Sequence, residues 1–511
     1  MRSTTQIHGD EAREALKRGI DAVYNAVAPT LGAKGRNVVY ERWNSPVVTN
    51  DGVSIAREVL PEDKYEYLGA ELIKQAAERT NDEAADGTTT TIILTKELID
   101  AGFHALQEGE NPMLLRREIQ EAKDFVVAEI KKRATPAKNL LEVAKISVEN
   151  DEIAELVADV VQHVGALGSV IVEEGHTFKT EVEKVKGYWF EKGYISPYMI
   201  TNEKNEAVLE ECAVILTDRT LNLNNDLIGV LTDIAKTGTK SLLLIADKIE
   251  GELLQTLIAN KMQGRFTTVA VTRPLSTEEL EDIATLTGAT AITKDKGIKD
   301  IAITHVGKAP KAIIKKDQTI IIGHDTQELK DRIKTLSDIV KDSKEKYGEI
   351  ERQKERLARL TGGLAVIRVG AKTEAERGYL KLKVDDAVGA CKSASEEGIV
   401  AGGGTTLRDI ASEKTFPTTK GAIILKSVLS TPFERLMENS GISEYDIKKN
   451  YNVLTGDIIK DMKKAGVVDP AKVSRCAVEN AVSAATTVLT TETVIATKPE
   501  LPIDSLKKLL S

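Results

Sequence analysis

The stretch Asp86-Gly87-Thr88-Thr89-Thr90-Thr91 runs directly into the apolar Ile92-Ile93-Leu94. An aspartate, a glycine and a run of hydroxyls opening a segment of helical periodicity bring unpaired backbone N–H groups and the positive end of a helix dipole to one place. Such a place suits a phosphate. The carboxylate adds a hard oxygen ligand that can hold Mg²⁺ against phosphate oxygens, and Gly87 lets the backbone approach where a Cβ would collide. An ordinary Asp/Thr helix cap is the plainer alternative. Four consecutive threonines are poor helix formers, so something other than propensity keeps them there.

Outward from this point the pattern is helical from Glu11 to about Arg133. Ala12, Ala15, Leu16, Ile20, Val23 and Val27 share one face, and Leu68–Glu78, Thr89–Leu106 and Leu114–Ile130 repeat the period. Two glycine-bearing turns, Thr30–Asn37 and Thr49–Val53, interrupt it with β-like Val38-Val39-Tyr40 and Val47-Val48 between them, and both turns could join the first stretch in one pocket. Thr135-Pro136 breaks the periodicity and suggests a hinge, and a short mixed region leads through Gly165–Gly168 to the strand Ser169–Val172. From about Gly187 strands and helices alternate, with Ser241–Ala246 and Thr267–Val271 as buried-strand runs. A charged helix is expected over Glu328–Leu360, with Gly362-Gly363 marking its exit. Leu380–Glu397, Gly402-Gly403-Gly404 and the helices between Ile423 and Leu489 repeat the texture of the opening block, so both ends of the chain are expected to build one discontinuous domain.

Composition narrows the function classes. A length of 511 residues suggests roughly three domains. Seventy basic against 79 acidic residues, a net charge of −9, argue against nucleic acid or an acidic membrane as the main partner. Any anion site must then be local. Cys212, Cys391 and Cys476 lie far apart without CxxC spacing, which supports neither a disulfide framework nor a zinc site. Met1–Asp10 has no apolar core of a signal peptide and no run approaches a membrane span, so a cytoplasmic location is expected.

Eight motifs in one order resemble the group I chaperonins, the GroEL-type family: Thr30–Val39, Asn50–Glu58, Asn81–Thr90, Gly193–Ile200, Glu281–Ala289, Val384–Ala387, Glu396–Gly404 and Val467–Arg475. The likeness runs over nearly the whole chain. It implies a multidomain α and α/β fold. A mostly helical, discontinuous equatorial ATPase domain would span 1–132 and 397–511, a small α+β intermediate domain 133–186 and 364–396, and an α/β apical domain 187–363.

By position, the resemblance implies an ATP site of Thr30, Leu31, Gly32, Ala33, Asn50 and Asp86 through Thr90 (Gly87, Thr88 and Thr89 between them), with Gly403, Asn452, Val453, Leu454 and Asp469 around ribose and adenine. Asp86 would hold Mg²⁺, and the backbone carbonyls of Thr30 and Asn50 would hold K⁺. Asp386 takes the position of the water-orienting carboxylate and Asp51 that of a supporting one. Since Asp386 belongs to the implied intermediate domain, the site would be complete only when that domain closes. Plainer alternatives stand beside these: a solvated helix face for Asp385-Asp386, a helix start for Asp469-Pro470, and a tight turn for the glycine triplet.

In the α/β region, Leu227, Ile228, Leu231, Ile234 and Ala235 form one helical stripe and Leu253, Leu254, Leu257, Ile258 and Met262 another. Stripes of this kind are usually core. The resemblance implies a groove for non-native protein at Tyr194, Tyr198, Met199, Ile228, Leu231, Leu254, Ile258 and Ala259. It also implies a homo-oligomer, a seven-subunit ring, single or double, with a small lid co-chaperonin. Four departures stand out: a short Thr272–Ser276 loop, a short Asp446–Asn450 segment before the adenine side, Glu434 where relatives carry an arginine, and Leu501–Ser511 in place of Gly-Gly-Met repeats. The expected function is ATP-driven protein folding. A ring scaffold with little ATPase and a small-molecule phosphotransferase are the rivals, the latter weakened by the lack of a His or Arg cluster near these motifs.

Overall fold

A computed structural model describes residues 4–497 other than 43–44, 149, 166–168, 176, 185–186, 203–204, 223–226, 275, 298–300, 342–351, 354–355, 358 and 361–363. The Leu501–Ser511 segment, Gly362-Gly363 and residues 166–168 of the expected turn, together with the middle of the expected Glu328–Leu360 helix, therefore lie outside the described residues. The chain divides into two compact units, one of residues 1–159 with 371–511 and one of residues 160–370. Residues 133–159 and 371–396 thus fall in the first unit, and 160–186 and 364–370 in the second.

The first unit is helical. The expected face of the opening helix, Gly9–Val27, is buried at Ala12, Ala15, Leu16, Ile20, Val23 and Val27. Full burial of a Leu or Ile side chain contributes about 1.5–3 kcal/mol each. This helix crosses Lys64–Ala84 so closely that a Cβ on Gly19 would lie 1.8 Å from the Glu66 carbonyl oxygen, and one on Gly69 would lie 2.1 Å from that of Leu16. Asp63 caps the second helix by accepting from the Tyr65 and Glu66 N–H groups. The Pro112–Arg133 helix begins on Asn111, has Pro at its first turn and ends in Lys131, Lys132 and Arg133, a charge order that complements its dipole. Between them lies Thr88–Gln107, and the small residues Ala477, Ala481 and Ala485 of Ala471–Leu489 are buried in the same core. Thr4–His8 pairs antiparallel with Thr493–Thr497, so both ends of the described chain close on this unit.

Two positions singled out in the sequence have specific partners. Thr135, beside the expected hinge at Pro136, exchanges two backbone hydrogen bonds with Ile399 at 2.9 and 2.8 Å, so the periodicity breaks where the chain joins a strand partner. Glu434 accepts a 2.7 Å bond from the Ser430 hydroxyl, while Arg435 bonds the Tyr24 hydroxyl and lies 5.2 Å over its ring. Both side chains are engaged inside the unit.

The second unit is built on a seven-stranded sheet. Its order runs Thr267–Thr272, Ser241–Ala246, Ala207–Thr217, Gly307–Ile314, Thr319–Ile322 and Gly187–Phe190, with Ala291–Ile292 beside Ala207–Thr217. The first three strands are parallel and the later pairings antiparallel. Both apolar runs expected as strands are buried on both faces, as strands covered by helices must be. A smaller sheet joins Ser169–Glu174, Leu364–Val369 and Glu181–Lys184. The short Thr272–Ser276 loop is anchored by Arg273 on Asp247 at 3.0 Å and leads into a capping box in which Ser276 and Glu279 satisfy each other's backbone N–H; Leu275 lies outside the described residues. In the following helix, Thr277–Thr287, the fully buried Asp282 receives Arg356 through Nε at 2.7 Å and Nη2 at 2.8 Å, and Arg332 at 2.9 Å. A buried carboxylate requires partners of this quality.

Candidate functional site

Gly87 stands at φ +88°, where a side chain would be strained, and a Cβ there would meet Val473 Cγ1 at 2.7 Å. It starts the Thr88–Gln107 helix with no side-chain cap. The ordinary Asp/Thr cap is thus not formed. Instead the Asp86 Oδ1 accepts from the Gly87 N–H at 2.6 Å, and the leading residues Thr88, Thr89 and Thr90 line a cavity of about 1060 Å³ within the first unit. The glycine loop is braced from behind by a buried polar chain: Asn480 Nδ2 donates to Thr80 Oγ1 at 3.0 Å, and Thr91 Oγ1 donates to Thr80 Oγ1 at 2.9 Å.

The second wall is the Thr30 turn. Its hydroxyl donates to the Val27 carbonyl at 2.7 Å, Gly32 stands at φ +89°, and the Gly35 N–H closes the loop on the Gly32 carbonyl at 2.8 Å. Asn439 Nδ2 holds this turn, donating to the carbonyls of Ala28 and Leu31 at 3.0 Å each. Thr30, Leu31, Gly32 and Ala33 all line the cavity. Asn50 and Asp51 form the third wall. Asp51 caps the Gly52–Glu58 helix, accepting from Val53 N–H at 3.3 Å and Ser54 N–H at 2.9 Å, so its carboxylate is fixed in orientation.

Asp386 comes from the Glu374–Glu397 helix and lines the same cavity. Asp385-Asp386 is therefore not simply a solvated face. Burial first, then the charges of Asp51 and Asp86, push the Asp386 carboxyl well above its ordinary range, with Lys383 opposing. Asp86 is raised as well, by burial first; the Gly87 N–H and Lys383 pull it back and Asp51 pushes it up.

The cavity also has an apolar wall. Phe433, Leu436, Met437, Tyr451, Val453, Leu454, Met462 and Val467 line the cavity beside Gly403 and Asn452. The short Asp446–Asn450 segment is pinned by Arg408, which donates to the Lys449 carbonyl at 2.8 Å and to Asn450 Oδ1 at 2.7 Å and lies 4.6 Å over the Phe433 ring. Val468–Pro470 pairs as a strand with Ile399–Ala401, and the next helix starts on Pro470 without a side-chain cap. Asp469 is thus no helix cap. It receives the N–H groups of Gly403 and Gly404, and burial, followed by Asp86, raises it to about 7.

The sign of that shift gives a prediction. Folded Asp469 holds its proton more tightly than the unfolded chain, whose value is 3.8, so its contribution to stability declines as pH rises from 3.8 to about 7. Thermal melts of nucleotide-free protein should show Asp469→Asn gaining on the wild type across that window and levelling above it. A difference in melting temperature independent of pH would contradict this.

Every residue expected at the ATP site lines this single cavity. Lys383, Asn439 and the rest of the apolar wall beyond Val453 and Leu454, namely Phe433, Leu436, Met437, Tyr451, Met462 and Val467, were not anticipated. Lys383 was within reach of the sequence, one turn ahead of Asp386. Asn439 was not, since it meets the turn from about 410 residues away.

In the second unit the groove residues divide. Tyr198 is 69% exposed, Ala259 is exposed, and Tyr194, Leu231, Leu254 and Ile258 are partly buried against the core. Met199 is not at a surface: it is fully buried, and its sulfur accepts from the Ala270 N–H. The backbone of Ile228 opens the Ile228–Lys236 helix, and its side chain lies outside the described residues. Lys261 ties the Pro197–Met199 turn to the Gly251–Met262 helix by donating to the carbonyls of Tyr198 and Ile200.

A helical unit closed by both chain ends, an acidic nucleotide-sized cavity inside it, and a mixed-sheet α/β unit inserted in the sequence define a multidomain α and α/β protein of chaperonin fold. A sequence model of the TCP-1/cpn60 chaperonin family matches residues 23–499, and the chain belongs to that family. Members are ATPases and typically form ring oligomers. Among solved structures it is similar to the chaperonin gp146 from the bacteriophage EL 2 (Pseudomonas aeruginosa), crystallised in the presence of ATP-BeFx. One crystal form matches with TM-score 0.69 and 22% identity, the other with TM-score 0.64 and 21% identity, each covering 97% of this chain and 99% of that one. Among the described residues no helix is long and apolar enough to cross a membrane.

Proposed function

We propose that this chaperonin hydrolyses ATP in the cavity of its first unit and uses the cycle to capture and enclose non-native polypeptides. The observation that carries the reading is the convergence of three separated glycine-bearing turns and four aspartates, Asp51, Asp86, Asp386 and Asp469, on one cavity. The phosphates would lie against the uncapped N-terminus of the Thr88–Gln107 helix and the Thr30 turn, with the base against the apolar wall.

The donor set fits a divalent cation shared with the nucleotide. Among the described residues no group of three or more His, Cys, Asp or Glu side chains could hold a metal alone. The mutually repelling carboxylates around Asp86 nevertheless leave negative charge that a cation would relieve. Mg²⁺ held by Asp86 and phosphate oxygens would neutralise charge on the phosphates. The Thr30 and Asn50 carbonyls would hold K⁺. Asp386 aligns a water and takes its proton as the water oxygen attacks the γ-phosphorus. The bond from that phosphorus to the β,γ-bridging oxygen breaks, and ADP and phosphate are formed. Asp51, fixed by its cap, supports that geometry.

The three-domain division 1–132 with 397–511, 133–186 with 364–396, and 187–363 belongs to the same reading, as do a cytoplasmic seven-subunit ring, single or double, and a lid co-chaperonin. Exposed Tyr198 and Ala259, with the edges of Leu231, Leu254 and Ile258, would offer the sequence-tolerant apolar contact that a binder of unfolded chains needs. Several such sites around a ring would act by multivalency.

Refolding of a chemically denatured enzyme tests this reading. Recovery should exceed the spontaneous yield only with ATP. If the wild type neither raises recovery nor hydrolyses ATP faster than Asp386→Asn, the chain is a ring scaffold without productive turnover.

A further inference from the structure

An acidic cavity is a poor host for a triphosphate. Asp51, Asp86, Asp386 and Asp469 line it, and so do Glu142 and Asp151. ATP brings several more negative charges, so the site must gather positive charge from more than one shared cation and a helix dipole. Three lysines line the cavity: Lys145, Lys383 and Lys464. Two are already paired, Lys145 with Asp151 at 2.9 Å and Lys464 with Asp461 at 3.6 Å. Lys383 is placed differently. Among the described residues it has no ion-pair partner, and its Nζ lies 5.7 Å from the centre of the Tyr379 ring, which steers the ammonium without neutralising it.

Its position on the Glu374–Glu397 helix matters as much as its charge. Lys383 precedes Asp386 by three residues, about 4.5 Å along the axis, on the same face. A helix that presents Asp386 to the attacking water therefore presents an ammonium one turn away, within the span of a lysine stem. It is also the cation whose field reaches both Asp86 and Asp386, the two carboxylates on either side of the expected phosphate position.

We propose that Lys383 contacts the terminal phosphoryl group of ATP and is a further catalytic residue, donating hydrogen bonds to its oxygens as the bond to ADP breaks. This rests on the ATPase reading and deepens it. The contact exists with ATP and is lost with ADP, so the residue distinguishes the two nucleotides. A lysine serving only to hold the Glu374–Glu397 helix would affect both alike.

The test uses the full chain carrying Asp386→Asn, which permits equilibrium binding without turnover, and compares it with the same chain also carrying Lys383→Ala, Lys383→Met or Lys383→Arg. Titrations with MgATP and MgADP are expected to show ATP affinity lowered about 10- to 100-fold by Ala and Met, the scale of a lost charge-assisted hydrogen bond, and ADP affinity changed less than about 3-fold. Arginine should restore most of the loss. In the otherwise wild-type chain, Lys383→Met should lower kcat more than Lys383→Arg does. Equal shifts for ATP and ADP, or none for either, would overturn the role of Lys383 while leaving the ATP site standing. A parent chain that binds neither nucleotide would overturn both.

Discussion

Asp386→Asn is expected to lower the kcat for ATP hydrolysis by about 10²- to 10⁴-fold while leaving ATP affinity within a few-fold of the wild type. The reason is chemical. The amide keeps the size and one acceptor oxygen but cannot take a proton from the attacking water. Asp386 lines the cavity without a structural duty comparable to the cap made by Asp51 or the turn held by Asp469. Burial and the charges of Asp51 and Asp86 raise its carboxyl, so removal of the charge should also stabilise nucleotide-free protein at neutral pH. Steady-state phosphate release, equilibrium nucleotide binding and thermal melts read the three consequences separately. Lost turnover with a raised apo melting temperature marks a functional charge. Lost turnover with a lowered melting temperature would mean that Asp386 holds the fold.

The second large effect falls on Asp86. Its carboxylate accepts the Gly87 N–H, stands at the mouth of the uncapped helix and faces the expected phosphates. Asp86→Ala should weaken MgATP binding by about 100-fold, equivalent to roughly 2.7 kcal/mol, because both a cation ligand and the brace of the glycine loop are removed. Titration of the variant at several Mg²⁺ concentrations distinguishes these causes. If Asp86 holds the cation, the wild type should gain affinity with Mg²⁺ over a range where the variant does not. Parallel Mg²⁺ dependence in both proteins would remove Asp86 from the cation site.

Much of this site was legible in the sequence because its parts are local. Glycine at φ +88° before a threonine-rich helix start, and glycine at φ +89° after Thr30, are backbone requirements that one residue type announces. Helical faces were equally readable, since Ala12 through Val27 needs only a period of 3.6. The plainer readings of Asp469 as a helix start and of the threonine run as an ordinary cap both yield to tertiary partners. Gly403 and Gly404 reach Asp469 across a strand pair, and nothing caps Gly87.

What escaped is non-local. Asn439 fixes the Thr30 turn, and Arg408 secures the segment beside Tyr451. No spacing rule predicts either. The expected hinge at Pro136 meets the same limit. Proline marks a break in periodicity, but no spacing names the partner of the residue before it, here Ile399. Met199 misled for a similar reason, because a sequence motif does not say which of its apolar residues turns inward toward Ala270.

Amide hydrogen exchange of the full chain with and without MgATP tests the central claim most directly. The account predicts slowed exchange at Leu31–Gly35, Gly87–Thr90, Gly402–Gly404 and Asn452–Leu454, four segments remote in sequence that share only the cavity. Exchange unchanged at all four, or slowed only elsewhere in the chain, would contradict it.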